Sequence, residues 1–209
     1  AFGEAVVEQN KVMNLTAITN PVDVAQLHLL DCAAVLTAAD FKGKTVIDVG
    51  TGAGFPGLPL RILQRNFTIT LLDSLNKRVD FLESVVNVLA LPATECVHAR
   101  AEEYAARHRE KFDIATSRAV AALNVLCELA LPMVKVGGAF LAMKSVDCDE
   151  ELRQAKSAIA QLGGSVESVR DYTIPGTEIR HRLITIRKIK SSPASFPRAF
   201  ARIKKNPLI

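Results

Sequence analysis

The run Val46-Ile47-Asp48-Val49-Gly50-Thr51-Gly52-Ala53-Gly54-Phe55-Pro56-Gly57, answered by Leu71-Leu72-Asp73, leaves few folds open to this chain. An apolar stretch broken by alternate glycines reads as a buried strand turning tightly into a helix, because glycine tolerates positive φ and lets a ligand approach the backbone. A second apolar run, Phe67 to Leu72, then delivers an acid at its carboxyl end. In doubly wound α/β folds an acid about 20 residues past the glycines takes both hydroxyls of a ribose. A glycine turn alone is also compatible with an ordinary strand-to-helix loop. With Asp48 and Asp73 in register, the pair predicts an adenosine-cofactor site.

The glycine spacing separates two cofactor classes. The dinucleotide fingerprint is Gly-x-Gly-x-x-Gly, whereas this turn is Gly50-x-Gly52-x-Gly54-x-x-Gly57 with Asp48 just before it. S-adenosylmethionine carries no pyrophosphate, so its site needs backbone room and polar anchors for the amino-acid end more than a phosphate nest. Asp48 suits that ammonium group.

At 209 residues and 49% hydrophobic, the chain can bury one substantial core, and a single domain is expected. No window approaches the roughly 18 consecutive apolar residues of a membrane span. No secretory signal opens the chain, which starts at Ala1 in a polar, helical-looking segment whose natural beginning is expected to lie upstream. Cys32, Cys96, Cys127 and Cys148 lack Cys-x-x-Cys spacing and sit mostly among apolar neighbours. They read as reduced, buried thiols of a cytoplasmic protein, with no metal site.

The net charge of +4 hides an asymmetry: from Ile179 to Ile209 there are nine Lys or Arg and no acid, leaving 17 of the 26 bases against all 22 acids in the rest, a net of −5. Such a segment is either a solvated tail or a contact for nucleic acid, where each neutralised phosphate releases counterions.

Strand and helix signals alternate along the chain. Pro21, after Thr19 or Asn20, starts a helix reaching about Ala39. Thr45–Val49 is the first strand and Pro56–Arg65 its helix; Thr68–Asp73 is the second, with Ser74 capping a helix to about Leu91. Glu95–His98, Asp113–Thr116 and Ala139–Lys144 follow as strands, with helices near Glu102–Arg107 and Ala122–Val134 between them. Asp147 and Glu150 form a capping-box pattern for a helix to Leu162, ended by Gly163-Gly164, and Ser165–Thr173 and Leu183–Ile189 alternate as late strands. This order predicts a mostly parallel sheet with helices on both faces, its ligands at the carboxyl ends of the strands. The residues placed there are Gly50–Gly57, Asp73-Ser74, Ala101-Glu102, Ser117-Arg118 and Lys144. Glu102 is equally an ordinary acid in a first helical turn.

The segments Asn10–Ile18, His28-Leu29-Leu30-Asp31-Cys32, Asp48–Gly57, Leu72-Asp73-Ser74-Leu75-Asn76-Lys77-Arg78, Ser117-Arg118-Ala119 and Phe196-Pro197-Arg198 together resemble the glucose-inhibited division protein B family. That resemblance implies a class I S-adenosylmethionine-dependent methyltransferase with a Rossmann-like seven-stranded sheet, one strand antiparallel. It implies methyl transfer to N7 of a specific guanine in 16S ribosomal RNA, by a cytoplasmic monomer acting on that RNA or on the small ribosomal subunit. It also implies that Gly50, Phe55, Ala101-Glu102 and Arg118 contact the cofactor, and that Asn14 and His28 face the active-site cleft. Residues 1–42 would form a helical extension to that cleft, and 191–209 a basic tail. Near the C-terminus the correspondence slips: Arg180, His181 and Arg182 compete for one expected RNA contact, and Ala199-Phe200-Ala201 stands where the family carries glycine.

Guanine N7 has an in-plane lone pair and no proton at neutral pH, so attack on a sulfonium methyl needs no general base; alignment and exclusion of water suffice. The chain lacks an Asp/Asn-Pro-Pro-aromatic segment for an exocyclic amine and a Pro-Cys pair for attack on a pyrimidine. Arg118 or Lys144 is a candidate donor to guanine O6, unless paired with an acid on the sheet rim. A nicotinamide-dependent oxidoreductase and a non-catalytic RNA-binding module are the rival readings.

If Arg198, Arg202, Lys204 and Lys205 all touch phosphates, deleting Ser192–Ile209 should lower the slope of log K against log salt for RNA by roughly 3–4 and leave cofactor affinity unchanged. Binding measured across a salt series checks both halves.

Overall fold

The computed structural model describes residues 1–118 and 120–209; Ala119, the last residue of the Ser117-Arg118-Ala119 motif, lies outside the described residues. Among the described residues seven strands form one sheet: β1 (Thr45–Val49), β2 (Thr68–Asp73), β3 (Thr94–His98), β4 (Phe112–Arg118), β5 (Val134–Ser145), β6 (Gly164–Thr173) and β7 (Arg180–Lys188). Their order is β3-β2-β1-β4-β5-β7-β6. The first five pair in parallel, while β7 runs antiparallel to both β5 and β6. The chain winds outward from β1 through β2 to β3, then returns to place β4 on the other flank of β1. That reversal opens a crevice at the carboxyl ends of β1 and β4.

Strand alternation divides the core into two layers. Ile47, Val49, Leu72, Ala115, Phe140, Ala142, Ile184 and Ile186 face one side. There they meet α6 (Ala101–Arg107), α7 (Leu123–Ala130), α8 (Asp149–Gln161) and α9 (Phe200–Lys205) through Ala105, Leu126, Ala155, Ile159 and Ile203. Val46, Ile69, Leu71, Ile114, Leu141, Met143 and Leu183 face the other. They pack on α1 (Phe2–Asn10), α3 (Asp31–Ala33), α4 (Gly57–Leu63) and α5 (Asn76–Val88) through Phe2, Cys32, Leu58, Leu60, Phe81 and Leu82.

The helix expected from Pro21 is present but irregular. Asn20 caps it, its Oδ1 accepting from the Val22 and Asp23 amides, and α2 (Pro21–Asp23) passes into a π-helical stretch, Val24–Leu30, before α3 and a 3-10 turn, Ala34–Thr37. The wider winding shows in the Asp31 amide, which donates to the Gln26 carbonyl five residues back. Two expected caps are absent. Leu75, not Ser74, precedes α5, and Asp73 Oδ1 accepts from the Leu75 amide at 2.9 Å. Cys148 precedes α8 without a side-chain cap; Glu150 instead bonds Arg153 and Gln154, while Asp149, Glu150 and Glu151 complement the helix dipole. Gly163 does end α8, at φ +82°, where an added Cβ would lie 2.1 Å from the Lys190 carbonyl oxygen. All four cysteines are free; Cys96 is half-buried, the others buried.

The basic tail is docked, not solvated. Arg109 donates to the carbonyls of Ser192 (2.7 Å), Pro193 (3.3 Å) and Phe196. Buried Lys188 donates to the Ser192 hydroxyl at 2.6 Å, Asn124 to the Leu208 carbonyl at 2.8 Å, and Ile203 is fully buried. Arg198 grips the buried Glu128 carboxylate through its amide, Nε and Nη2 at 2.6–2.9 Å. Arg198 is therefore spent within the protein, and the salt slope attributable to the tail falls to roughly 2–3.

Arg109→Ala removes a charged donor from three backbone carbonyls, of which Pro193 keeps the Phe196 amide as a donor. We predict a loss of about 2 kcal/mol in urea denaturation, with trypsin cutting the tail of the variant before its core.

Candidate active site

A cavity of about 480 Å³ opens at the carboxyl edge of the sheet, within the range of small-ligand sites. The glycine turn supplies Gly50, Thr51, Gly52, Ala53 and Phe55; β2 ends in Asp73-Ser74; α6 starts with Ala101-Glu102; β4 brings Arg118; the N-terminal segment adds Leu15, Thr16 and His28. Most of the cofactor residues expected from the sequence are thus assembled in one place.

Asp73 joins the turn to the floor of the cavity. Its Oδ2 accepts from the Gly52 amide at 2.9 Å and from Arg78 Nη1 at 3.4 Å, and its Oδ1 from the Leu75 amide. These bonds hold the carboxylate still and occupy both lone pairs of Oδ2, leaving Oδ1 a lone pair for a hydroxyl donor. Gly52 sits at φ +60° with nothing within 4 Å of an added Cβ, so the backbone borders open space there. An acid beside a bare stretch of backbone fits the ribose of S-adenosylmethionine.

Three residues assigned to the cofactor do other work. Asp48 is fully buried and does not line the cavity; its Oδ2 accepts from Thr51 Oγ1 at 2.6 Å and from the Gly57 amide at 2.8 Å. Burial pushes its carboxyl up to about 7, so it is a poor fixed anion for an ammonium group, and it braces the turn from behind. Gly57 is small because of that packing: a Cβ would meet Leu71 Cδ2 at 2.4 Å and Asp48 Oδ2 at 2.8 Å. Gly54 likewise abuts Leu58 and Leu82, away from the cavity lining.

The other end of the cavity is organised around Arg118. Its guanidinium lies 4.7 Å from the centre of the Phe55 ring, donates to Asp31 Oδ2 (3.2 Å) and the Leu27 carbonyl (3.3 Å), and donates through Nη2 to His28 Nδ1 at 3.0 Å. Because an arginine can only donate, His28 accepts at Nδ1 and carries its proton on Nε2, 2.8 Å from Thr16 Oγ1. Burial, reinforced by the Arg118 charge, lowers His28 to about 4, so the imidazole is neutral at neutral pH. Asp31, wholly buried, also accepts from Tyr172 (2.7 Å) and His181 Nδ1 (2.8 Å). Desolvation opposes its charge, but these donors and Arg118 win, and its carboxyl is held below the usual range.

The remaining expected residues lie elsewhere. Lys144 pairs with Glu151 at 2.5 Å and donates to the Ala121 carbonyl at 2.9 Å, the rim pairing that was its alternative, and does not line the cavity. Asn14 is exposed beside the lining residue Leu15; the loop is fixed by Asn10, whose Oδ1 accepts from the Leu15 (2.7 Å) and Thr16 (2.9 Å) amides. His181 is turned to Asp31, Arg182 to Asp171 and Asp149, and Arg180 more loosely to Asp171 at 3.4 Å. Lys204 and Lys205 are exposed on α9. Sequence reasoning missed Asp31, Asn10, Arg78, Arg100 and Phe200. Asp31 stood in a noted motif, and a buried acid three residues after His28 was the available signal; nothing local announced Phe200. Among the described residues no group of three metal-ligating side chains occurs, and no helix is long and apolar enough to cross a membrane.

The strand order, the single antiparallel strand and the placement of the glycine turn against Asp73 define the class I S-adenosylmethionine-dependent methyltransferase fold. Solved structures share it at identities that speak to fold alone. M. jannaschii TYW2 in complex with AdoMet superposes with a TM-score of 0.63 at 11% identity, over 78% of this chain and 77% of that one. Precorrin-6y C5,15-methyltransferase from Geobacter metallireducens GS-15 gives 0.57 at 15%, over 75% and 87%. The particular family follows from sequence. The GidB profile, described as rRNA small subunit methyltransferase G, matches residues 1–182, and the Ribosomal RNA small subunit methyltransferase G of Clostridium perfringens (strain SM101 / Type A) is 49% identical over 210 residues, 99% of this chain and 88% of the relative. The chain belongs to the rRNA small subunit methyltransferase G family.

A folded-state pKa below the ordinary 6.5 means that His28 favours the fold above pH 6.5, and that this contribution is lost as pH falls toward 4, where the unfolded chain takes up the proton first. Melting temperatures of the wild type and His28→Gln across that window should converge on acidification, with the shallower decline in the variant.

Proposed function

We propose that this chain transfers a methyl group from S-adenosylmethionine to N7 of one guanine in 16S ribosomal RNA. The observation that carries the reading is a single cavity with Asp73 and the open flank of Gly52 along one part and Arg118 with a neutral His28 at the far end. The bound cofactor supplies an electrophilic methyl on a sulfonium centre. Around it, Asp73 accepts ribose hydroxyls, Glu102 and the Ala101 amide stand where the base extends, and Phe55 closes the side towards Arg118.

The residues at the far end suit an acceptor that brings its own lone pair. Arg118 is a cation, and the one acceptor nitrogen of His28 is already taken by it. Neither is set to receive a proton, and N7 has none to give. Arg118 retains N–H groups beyond those used on Asp31, Leu27 and His28, and guanine O6 is a matching acceptor that adenine lacks. Thr16 and His28, which line the cavity, support residues 1–42 as part of the cleft. The substrate is RNA, as naked 16S RNA or within the small subunit, and the protein acts as a cytoplasmic monomer. Arg180, Arg202, Lys204 and Lys205 remain the phosphate contacts of this proposal, Arg182 and Arg198 being committed to acids. Family membership leaves no support for the nicotinamide alternative.

Asp73→Ala should weaken S-adenosylmethionine binding by about 1–3 kcal/mol with the fold retained, and Gly52→Val should abolish it by filling the space beside the turn. Calorimetry reads both; undiminished affinity in either folded variant would remove the cofactor site from this turn. Mapping N7-methylguanine in ribosomal RNA from cells with and without the protein tests the reaction, and an unchanged map leaves a non-catalytic RNA-binding module.

A further inference from the structure

The docked tail supplies a wall of the cavity. Phe200, the first residue of α9, is half-buried, packs against the core cluster that includes Leu129, and lines the cavity together with Leu129, Ser74, Ala99, Arg100 and Ala101. Arg100 lays its guanidinium over the Phe200 ring, 4.7 Å from the centroid, and reaches Glu102 Oε1 at 3.4 Å. The ring is held there by connections on both sides of it in sequence: Arg198 on Glu128 before it, Ile203 in the core and Leu208 on Asn124 after it.

We propose that Phe200, steadied by Arg100, is the adenine-contact residue of the cofactor site; the inference rests on the S-adenosylmethionine reading above. With the ribose fixed by Asp73 and the methyl directed to the Arg118 end, the purine extends the opposite way, past the start of α6. A purine has flat apolar faces and a polar edge, and a site for it pairs an aromatic or apolar wall with a hydrogen-bond acceptor for the exocyclic amine. Among the described lining residues the phenyl rings are Phe55 and Phe200; Phe55 is buried against Phe2, His28 and the Arg118 guanidinium, whereas Phe200 is half-buried with Arg100 against it. Phe200 lines the cavity with Glu102, the two bridged by Arg100, and the Glu102 carboxylate is the acceptor. A segment far from the glycine turn in sequence thus completes the site, and removal of Ser192–Ile209 takes away part of the cofactor's surroundings. On this proposal the deletion lowers cofactor affinity as well as the salt slope, where the sequence alone predicts an unchanged affinity.

The test is calorimetry of S-adenosylhomocysteine and of adenosine binding to the full chain and to Phe200→Ala, Phe200→Leu and Phe200→Tyr, with melting temperature and trypsin resistance of the tail recorded for each. Base stacking on an aromatic ring predicts a loss of roughly tenfold to a hundredfold for both ligands in Phe200→Ala. Phe200→Leu keeps apolar packing and should keep the tail docked, yet lose affinity several-fold, whereas Phe200→Tyr should bind as the wild type does. Wild-type affinity in Phe200→Leu and Phe200→Ala overturns the proposal, as does an equal loss in the Tyr and Leu variants. If the wild type binds neither ligand, the cofactor reading itself has failed, and this inference falls with it.

Discussion

A guanidinium that is largely withdrawn from water must be neutralised, and the arrangement of this protein around its cleft follows from how Arg118 meets that need. Asp31 supplies the charge, but a wholly buried carboxylate needs donors of its own, and it finds them in Tyr172 on β6 and His181 on β7. The unused side of the cation is covered by Phe55 and by the lone pair of His28, whose Nε2–H donates to Thr16 Oγ1. One ion pair therefore ties the glycine turn, the N-terminal helices, β4 and the antiparallel end of the sheet into a single unit. Removing either partner would leave a buried charge uncompensated, which is costlier than the pair is worth.

The same logic explains what was legible in the sequence. Strands β1, β2, β4 and β5 declare themselves because parallel strands inside a sheet are buried on both faces and read as apolar runs, whereas the edge strand β3 has no buried residue. The turn declares itself because positive φ and close packing demand glycine. Asp73 was legible because it ends a strand and has only the turn to face. Asp48, Gly54 and Gly57 share its neighbourhood in sequence but not its direction: they point into the packing behind the turn, and direction at a tight turn is set by dihedral angles that composition does not reveal.

Charged residues were harder to place. Lys144, Arg182 and Arg198 look alike in sequence, as bases near a strand end or in a basic segment, yet each is claimed by an acid that the fold brings to it: Glu151, Asp171 with Asp149, and Glu128. A count of bases records available charge only before such pairs are taken out. The tail was misjudged for the same reason, since Arg109 binds its backbone carbonyls, which carry no sequence signature, and Lys188 binds the Ser192 hydroxyl. Phe200 reaches the cavity only because those bonds bring it back.

The π-helical stretch at Val24–Leu30 carries His28, and Asp31 follows directly after it, both on the Arg118 guanidinium. Such a stretch carries one residue more than the α-helix it interrupts, and its presence amounts to a local insertion that the fold has kept. Loss of a single residue there would restore regular winding and rotate the upstream chain by roughly 100° about the helix axis, drawing Thr16 away from the cleft. The number of residues between Asn20 and Asp31 therefore matters to the cleft alongside the identity of His28, because it sets the direction from which Thr16 meets that imidazole.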